Sequence, residues 1–365
     1  MLTRKVELFI NLLRNDMTKS FERGIKYPSV AVIVLNYNGK SLVDESLGSL
    51  LRQKYPNYQI YLADDASTDN SVEYVRRKYP KVKIIKSSRN LGPAGISNYA
   101  VARTRENYVV LMSEDMKFDK NCVSELMRGI TSDSSVGICT SVLVRHDKDP
   151  NTGIYYIDNA GGELDMYGFG MQHDPWKPFD KYPKEIQEVF FSYGGSFIIS
   201  RELFNEAGGF DGKFWGLSDD IDLSWRVRLL GYKIIANPRS FLYHHISPSL
   251  GKLGKVRTRY LSERNSLRML IKNYALETLF WVLPRYLVLE LGEMLYFLIK
   301  RRPDLSYSVL SAVSWNLHTF PDTLRERRRI QASRVVYDEE IVKLLSKKSY
   351  KLKIFSAANS YVDAK

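Results

Sequence analysis

Apolar residues fall into two kinds of run along this chain. The first kind is short, unbroken and rich in β-branched side chains. VAVIVLNY (Val30–Tyr37), YQIYLAD (Tyr58–Asp64), KVKIIKS (Lys81–Ser87) and YVVLMSED (Tyr108–Asp115) have strand length and composition, and the first reads as buried on both faces. The second kind has helical spacing. It follows the first strand through Leu42, Leu47, Leu50 and Leu51, and it recurs from Ser71 towards Tyr79 and from Asn98 towards Arg105. Strands that alternate with helices predict an α/β fold with a parallel-rich sheet covered on both faces. In such sheets ligands bind beyond the carboxyl ends of the strands. That rule directs attention to Asn36–Asn38, Asp64–Asp69 and Ser113–Asp115.

Residues 147–185 break the alternation. Asp, Gly, Pro and Tyr dominate there, which predicts an irregular excursion with short strands. Regularity returns at VFFSYGGSFIIS, then in a helix over Asp219–Leu230 closed by Gly231, then in the strand KIIANP. From Ser262 onwards the chain reads as mostly helical. Leu276–Lys300 is very apolar, but Glu277, Arg285, Glu290 and Glu293 interrupt it, so no membrane-spanning helix is expected. The start of the chain, with VELFINLL broken by Glu7 and Asn11, reads as a short amphipathic helix and not as a signal peptide. Three regions follow: an amphipathic helix over 1–27, a catalytic α/β domain over 28–250, and a basic, mostly helical region over 251–365.

Charge changes the picture at one end only. The net charge is +13, and residues 251–365 carry 22 Lys and Arg against 11 Asp and Glu. A nearly neutral body with a basic tail points to an anionic surface or partner at that end. The tail lacks regular aromatic interleaving, so nucleic acid is not the expected partner. The two cysteines, Cys122 and Cys139, form neither a disulfide framework nor a metal cluster and fit thiols in a reducing cytosol.

Several strand ends carry candidate chemistry. At LNYNGK, Tyr37 offers a ring for stacking on a nucleobase, and Asn36 or Asn38 could bond the base edge. At ADDASTDNS, Asp64 or Asp65 could accept a ring N–H or ribose hydroxyls, while Ser67 or Asp69 caps the next helix. In RNLGPAGISN, Asn90 and Gly92 fit a tight turn and Gly95 fits a close backbone approach; neither the phosphate-loop nor the dinucleotide glycine pattern is present. Glu114 and Asp115 follow an apolar strand. Two acids there are costly unless they bind something, and a divalent cation bridging two phosphates is the natural partner. Asp219, Asp220 and Asp222 open a helix, more acid than a cap needs. Helical geometry puts Asp219 and Asp222 on one face and Asp220 about a third of a turn away. One of the three could deprotonate an acceptor while another binds acceptor hydroxyls or Arg226. His244 and His245 follow a strand and are candidate metal ligands.

The order of these motifs is more specific than any one of them. NYN, DDASTD, NLGPAGISN, ED at a strand end, GGFD, DDIDLSWR, GY, HH and ERN together resemble the family-2 glycosyltransferases, from about Val30 to Asn273. The likeness is nearest to the branch of rhamnosyl- and galactosyltransferases of surface and lipid-linked glycans, and KRRP and RERRRIQ resemble tails of that branch. The resemblance implies a GT-A fold, a Rossmann-like nucleotide-binding half fused to an acceptor half, here with a helical C-terminal extension. It implies inverting transfer from a UDP- or dTDP-sugar, with Mn²⁺ or Mg²⁺ as cofactor. The donor would meet Asn36, Tyr37, Asn38, Asp64, Asp65, Asn90, Gly92, Asn98 and Arg264. The metal would meet Asp115, Glu114 and one of His244 and His245. Asp220 matches the catalytic base, with Asp219 beside it, and Arg264–Asn265 match an Arg-Asn pair near the diphosphate.

Two departures qualify the match. The DxD-type position reads SED, and the ED-type motif reads DD. A non-catalytic nucleotide-sugar or carbohydrate binder therefore stays open as an alternative. So does a sugar nucleotidyltransferase, although LNYNGK lacks the Gly-rich basic loop expected of one. The acceptor expected is a glycan, lipid-linked or at the surface. The expected location is the cytoplasm, with peripheral membrane contact or a homodimer as the two uses of the apolar C-terminal segment.

Overall fold

The computed structural model describes residues 27–193, 195–245 and 254–352. The expected helix over 1–27 lies almost wholly outside them. The first half runs β1 (Val30–Asn36), α1 (Val43–Leu50), β2 (Tyr58–Asp64), α2 (Ser71–Lys78), β3 (Lys83–Lys86), α3 (Gly92–Val101) and β4 (Tyr108–Ser113). These strands pair in parallel in the order β3-β2-β1-β4. Chain order reverses at β1, so a crevice opens at the carboxyl ends of β1 and β4. Every residue of β1 but Leu35 is buried, as its unbroken apolar run requires. Val30, Val32 and Val34 pack on the face covered by α1, and Ala31 and Ile33 on the face covered by α3.

The second half is mixed. It adds β5 (Met116–Phe118), α4 (Cys122–Ile130), β6 (Val136–Arg145), β7 (Ile157–Asn159), β8 (Gly162–Leu164), β9 (Gly170–Gln172), β10 (Gln187–Glu188), β11 (Ser196–Ser200), α5 (Arg201–Glu206), α6 (Asp219–Leu229) and β12 (Lys233–His244). β11 lies antiparallel between β4 and β6, and β12 lies parallel to β6. The excursion over 147–185 holds β7, β8 and β9, as its composition suggests. The α/β, parallel-rich fold expected from the alternation is present. Both cysteines are buried free thiols.

Three sequence-based assignments change. The helix expected from Asn98 starts at Gly92, so Gly95 lies inside a helix and not in a ligand-approaching loop. Pro93 accounts for this, because proline favours the first helical turn, where its missing N–H has no partner to lose. The strand expected over Tyr108–Asp115 stops at Ser113, and Glu114–Asp115 form a turn into β5. KIIANP is only the start of β12, which runs on to His244.

The last third is helical, as expected: α7 (Gly254–Asn273), α8 (Leu276–Ile299), α9 (Pro303–His318), α10 (Phe320–Ser333) and α11 (Asp338–Leu344). None of the described helices is long and apolar enough to cross a membrane. The region is packed into the body. Trp225 of α6, Tyr274 and Tyr286 share one buried cluster with Phe169 and Phe191. Ionic contacts reinforce it. Asp222 is fully buried and accepts from Arg226 Nε at 3.0 Å, Lys272 Nζ at 3.0 Å and Asn273 Nδ2 at 3.2 Å. Lys272 Nζ also reaches Asp211 Oδ2 at 2.5 Å, and Arg268 Nε reaches the same oxygen at 2.8 Å. Of the roles open to Asp222, the structure selects the partner of Arg226.

Burial alone would raise the Asp222 carboxyl, but Arg226 and Lys272 hold it below its ordinary range. A group held low contributes stability above its unfolded value, near 4, and that contribution is lost as pH falls through the folded value. Replacing one partner of a buried pair leaves uncompensated charge and costs about 3–5 kcal/mol. Asp222→Asn should therefore lose at least ~3 kcal/mol in urea denaturation at neutral pH. The gap to the parent should narrow in acid. An Asn variant as stable as the parent at pH 7 would contradict this account.

Candidate active site

The crevice is built from the strand ends that the alternation pointed to. Beyond β1, Asn38 takes a left-handed conformation, with φ 55°. Its Oδ1 accepts from Thr68 N at 2.8 Å, its own N donates to Ser67 Oγ at 2.9 Å, and Lys40 N donates to Asp69 Oδ2 at 2.8 Å. Asn36 is buried and its Nδ2 donates to Asp64 Oδ1, Ser67 Oγ and Ser71 Oγ. These bonds lock the β1 and β2 loops together. Tyr37 is left with its ring half exposed, free of the sheet.

The two acids after β2 are engaged by the protein. Asp64 pairs with Asn36 and with Ser67 N. Asp65 accepts from Leu91 N at 2.7 Å and Gly92 N at 2.9 Å, so it caps the start of α3. Asn90 Oδ1 also accepts from Gly92 N. Gly92 has φ +73°, and a Cβ there would stand 2.9 Å from Trp215 O. The loop leading to α6 thus rests on the start of α3. Asn98 holds the same loop from further along, donating to Phe210 O at 2.8 Å and accepting from Phe210 N at 2.9 Å. Among the residues expected to meet the donor, Asp64 and Asn98 hold loops, and Asn36 does so through its Nδ2 while its Oδ1 has no partner.

The turn after β4 divides its two acids. Glu114 packs over Gly39, where a Cβ would meet its Cγ at 2.5 Å, and it takes a hydrogen bond from the Tyr37 main chain. Burial and the neighbouring Asp115 push it up to about 8. Glu114 thus packs against the β1 loop, while Asp115 turns towards the end of β12. Asp115 is buried, and its Oδ1 has no hydrogen-bond partner. Its Oδ2 faces His244 Nε2 at 3.6 Å, and His244 Nδ1 meets Asp158 Oδ2 at 2.9 Å. Burial would lower the His244 pKa, but the two carboxylates push it up to about 9. A carboxylate, an imidazole and a second carboxylate behind the ring form the arrangement that orients a histidine on a metal. Of the two expected histidines, His244 faces Asp115. His245 points elsewhere: its Nε2 meets Glu45 Oε2 at 2.7 Å and its ring stacks on His146 at 3.5 Å. Lys117 Nζ takes the other Glu45 oxygen, and Glu45, His146 and His245 together offer three ligand atoms within 4.8 Å of one another, close enough to hold a metal ion.

Asp158 leads on to the acceptor side. Tyr193 is pushed up to about 12 by burial and by the charges of Asp220 and Asp158. Asp115, His244 and Asp158 therefore form one connected series, and the charges of Asp158 and Asp220 are both felt at Tyr193. Asp219 is held above the ordinary carboxylate range by burial and by Asp222. The loop before these acids is set from below. Asn265 Nδ2 donates to Gly216 O at 2.8 Å and Leu217 O at 2.7 Å, where Leu217 and Ser218 both have positive φ. Arg264 is also turned to this loop, donating to Lys213 O and Asn265 Oδ1 and lying over Trp315. Sequence reasoning missed Asp158 and Tyr193, and also Glu45 and His146. Each stands alone in sequence with no motif around it.

Comparison with known proteins agrees with this fold. The family model for glycosyl transferase family 2 matches residues 31–219. An N-acetylglucosaminyl-diphospho-decaprenol L-rhamnosyltransferase of Mycobacterium tuberculosis is 21% identical over 60% of this chain and 77% of its own length. Glycosyltransferase GlyG of Streptococcus pneumoniae is 27% identical over 60% of this chain and 72% of its own. The solved structure of GalNAc-T7 with UDP, GalNAc and Mn²⁺ superposes with a TM-score of 0.56 at 19% identity. That match covers 74% of this chain and about half, 51%, of the other. The likeness extends the GT-A fold to this protein. The match over residues 31–219 takes in more than half of the chain, and the chain belongs to glycosyl transferase family 2.

Proposed function

We propose that this glycosyltransferase moves a sugar, with inversion, from a UDP- or dTDP-sugar to a hydroxyl of a lipid-linked or surface glycan at the cytoplasmic face of a membrane. The observation that carries the reading is the series Asp115, His244 and Asp158 beyond the carboxyl end of β4, with a buried, unpartnered carboxylate oxygen at its Asp115 end. Asp115 and His244 would hold a divalent cation, Mn²⁺ or Mg²⁺; the orphaned, buried Asp115 Oδ1 supports that role. When bound, the cation neutralises charge that builds on the departing diphosphate. Asp158 keeps the His244 ring oriented. Tyr37 offers its half-exposed ring to the base. The oxygens of Asp65 retain lone pairs beyond their bonds to Leu91 and Gly92 for a pyrimidine N–H or ribose hydroxyls. Asp220 takes the acceptor proton as the hydroxyl attacks opposite the leaving group. No covalent intermediate on the enzyme is required. The rhamnosyltransferase relative and the basic C-terminal region support a lipid-linked acceptor.

A thermal-shift panel of nucleotide-sugars with Mn²⁺ or Mg²⁺ tests the donor, since ligands that bind the native state raise its stability. Stabilisation by guanosine diphosphate sugars alone would overturn the pyrimidine assignment. In titration calorimetry, nucleotide diphosphate binding should need the cation and be lost in Asp115→Ala. Equal affinity in EDTA would remove the metal role. Asp220→Asn keeps shape but cannot accept a proton, so turnover should fall by ~10²–10⁴-fold while donor binding survives. An active Asp220→Asn beside a dead Asp219→Asn would move the base by one residue. Asn265→Ala frees the carbonyls of Gly216 and Leu217. It should lower kcat and leave donor affinity near the parent value; a loss of donor affinity alone would argue against its holding the acceptor loop.

A further inference from the structure

Helix α8 is fixed to the protein along a narrow stripe. Leu279, Val282, Tyr286, Glu290, Glu293 and Phe297 are buried, at spacings of three and four. The two acids on this stripe are neutralised from inside. Lys351 Nζ reaches Glu290 Oε1 at 2.5 Å, Glu293 Oε2 at 3.3 Å and Glu263 Oε2 at 2.9 Å, and Arg259 pairs with Glu263 and Glu293. Tyr286 Oη donates to Glu263 Oε2 at 2.9 Å. Of the four charges that break the apolar run in the sequence, Glu290 and Glu293 are thus directed inward, while Glu277 and Arg285 are exposed.

The rest of the helix surface is apolar and open. Phe280 is 70% exposed, Trp281 62%, Val288 69%, Leu291 56%, Leu295 52% and Leu298 52%. No acidic side chain faces outward between Thr278 and Ile299, and the only outward charge there is Arg285. Lys300, Arg301 and Arg302 follow the last turn. The neighbouring α9 adds exposed Tyr307 and Leu310. The helix has 24 residues, so this face runs for about 36 Å. It exposes contiguous apolar surface of a kind that marks an interaction site.

From this arrangement we infer that the outward face of α8 lies in the surface of an anionic phospholipid bilayer, parallel to it, with Lys300–Arg302 at the headgroups. A second copy of the chain is the other candidate occupant. A two-stranded helical seam uses a narrow stripe of two positions in seven. Here the apolar arc includes adjacent pairs, Phe280–Trp281 and Leu298–Ile299, and is wider than such a seam needs. Exposed aromatics, an apolar face with a single acid, Glu277, in its first turn, and a flanking basic cluster are the features of an interface-lying helix. The inward ion pairs hold α8 to the body, which keeps it on the surface and out of a spanning orientation. Only the lipid-linked nature of the acceptor ties this inference to the catalytic reading; the surface itself stands apart from it.

The test uses the full chain with vesicles of phosphatidylcholine alone or mixed with phosphatidylglycerol. Sedimentation with the mixed vesicles should be strong at low salt and weaken as salt rises. Trp281 emission should shift to the blue, and Trp281→Phe should remove that shift. Val288→Asp with Leu291→Asp should cut vesicle binding at least ~10-fold, the equivalent of 1.4 kcal/mol, with nucleotide diphosphate affinity unchanged. Three results would overturn the inference: no sedimentation at low salt, undiminished binding by the double variant, or a stable dimer that this variant splits without any vesicle effect. Asp115→Ala should bind vesicles like the parent, so failure of the catalytic reading and failure of this one give different patterns.

Discussion

The buried meeting of Asp222 with Lys272 and Arg226 fixes where the acids that open α6 can be. Asp222 belongs to the first turn of α6, so whatever anchors it also anchors Asp219 and Asp220. Its partners come from α6 itself and from α7, which ties the helical region to the sheet. A network of this kind stabilises little compared with well-packed apolar residues, but it is intolerant of losing one member. Its use here is positional. The three acids in sequence are placed differently: Asp222 is buried in the network, Asp219 is desolvated beside it, and Asp220 accepts from the main chain of Ile221.

The donor side is organised differently, by main-chain hydrogen bonds taken up by short polar side chains. Asn36, Asn38, Asp64, Asp65, Ser67 and Asp69 hold the β1 loop, the β2 loop and the start of α3 as one unit. Polar residues at strand ends serve two purposes, and bonding within the protein is the first. This explains why such residues are dense just where ligands are bound: loops that carry few apolar side chains must be held by hydrogen bonds if the site is to be formed before the ligand arrives.

The legible parts of the fold were those where one physical demand dominated. β1 and β2 are fully or nearly fully buried, their apolar runs are unbroken, and they end at polar turns, so their limits could be read to within a residue. β6 was not recognised. VGICTSVLVR mixes Gly, Cys, Thr and Ser into a strand that is almost wholly buried, because those hydroxyls find partners inside: Thr140 bonds to Ser196 O and Ser141 to Ser240. A buried polar strand has no alternation to detect. The site followed the same division. Asp115, Asp220 and the histidine pair stood at strand ends or in acid clusters. Asp158 reaches the site only through the pairing of β7 with β6, which no local pattern encodes. Among the acids at the β4 end, the neighbour in sequence proved less informative than the side chain each one faces.

The clasp between Asn98 and Phe210 has a consequence for how such a protein can diversify. One amide takes both the N–H and the C=O of Phe210, and no other side chain except Gln supplies donor and acceptor in that planar form. The joint allows no sliding, so a drift of the α6 loop relative to α3 would break both bonds together. Variation is thereby steered away from this loop and into the mostly exposed stretches 147–153 and 175–186, which flank the buried strands that carry Asp158 and can be lengthened or trimmed without disturbing the joint between the two halves. A scaffold with one rigid seam and exposed stretches beside it can keep its chemistry while its rim is rewritten.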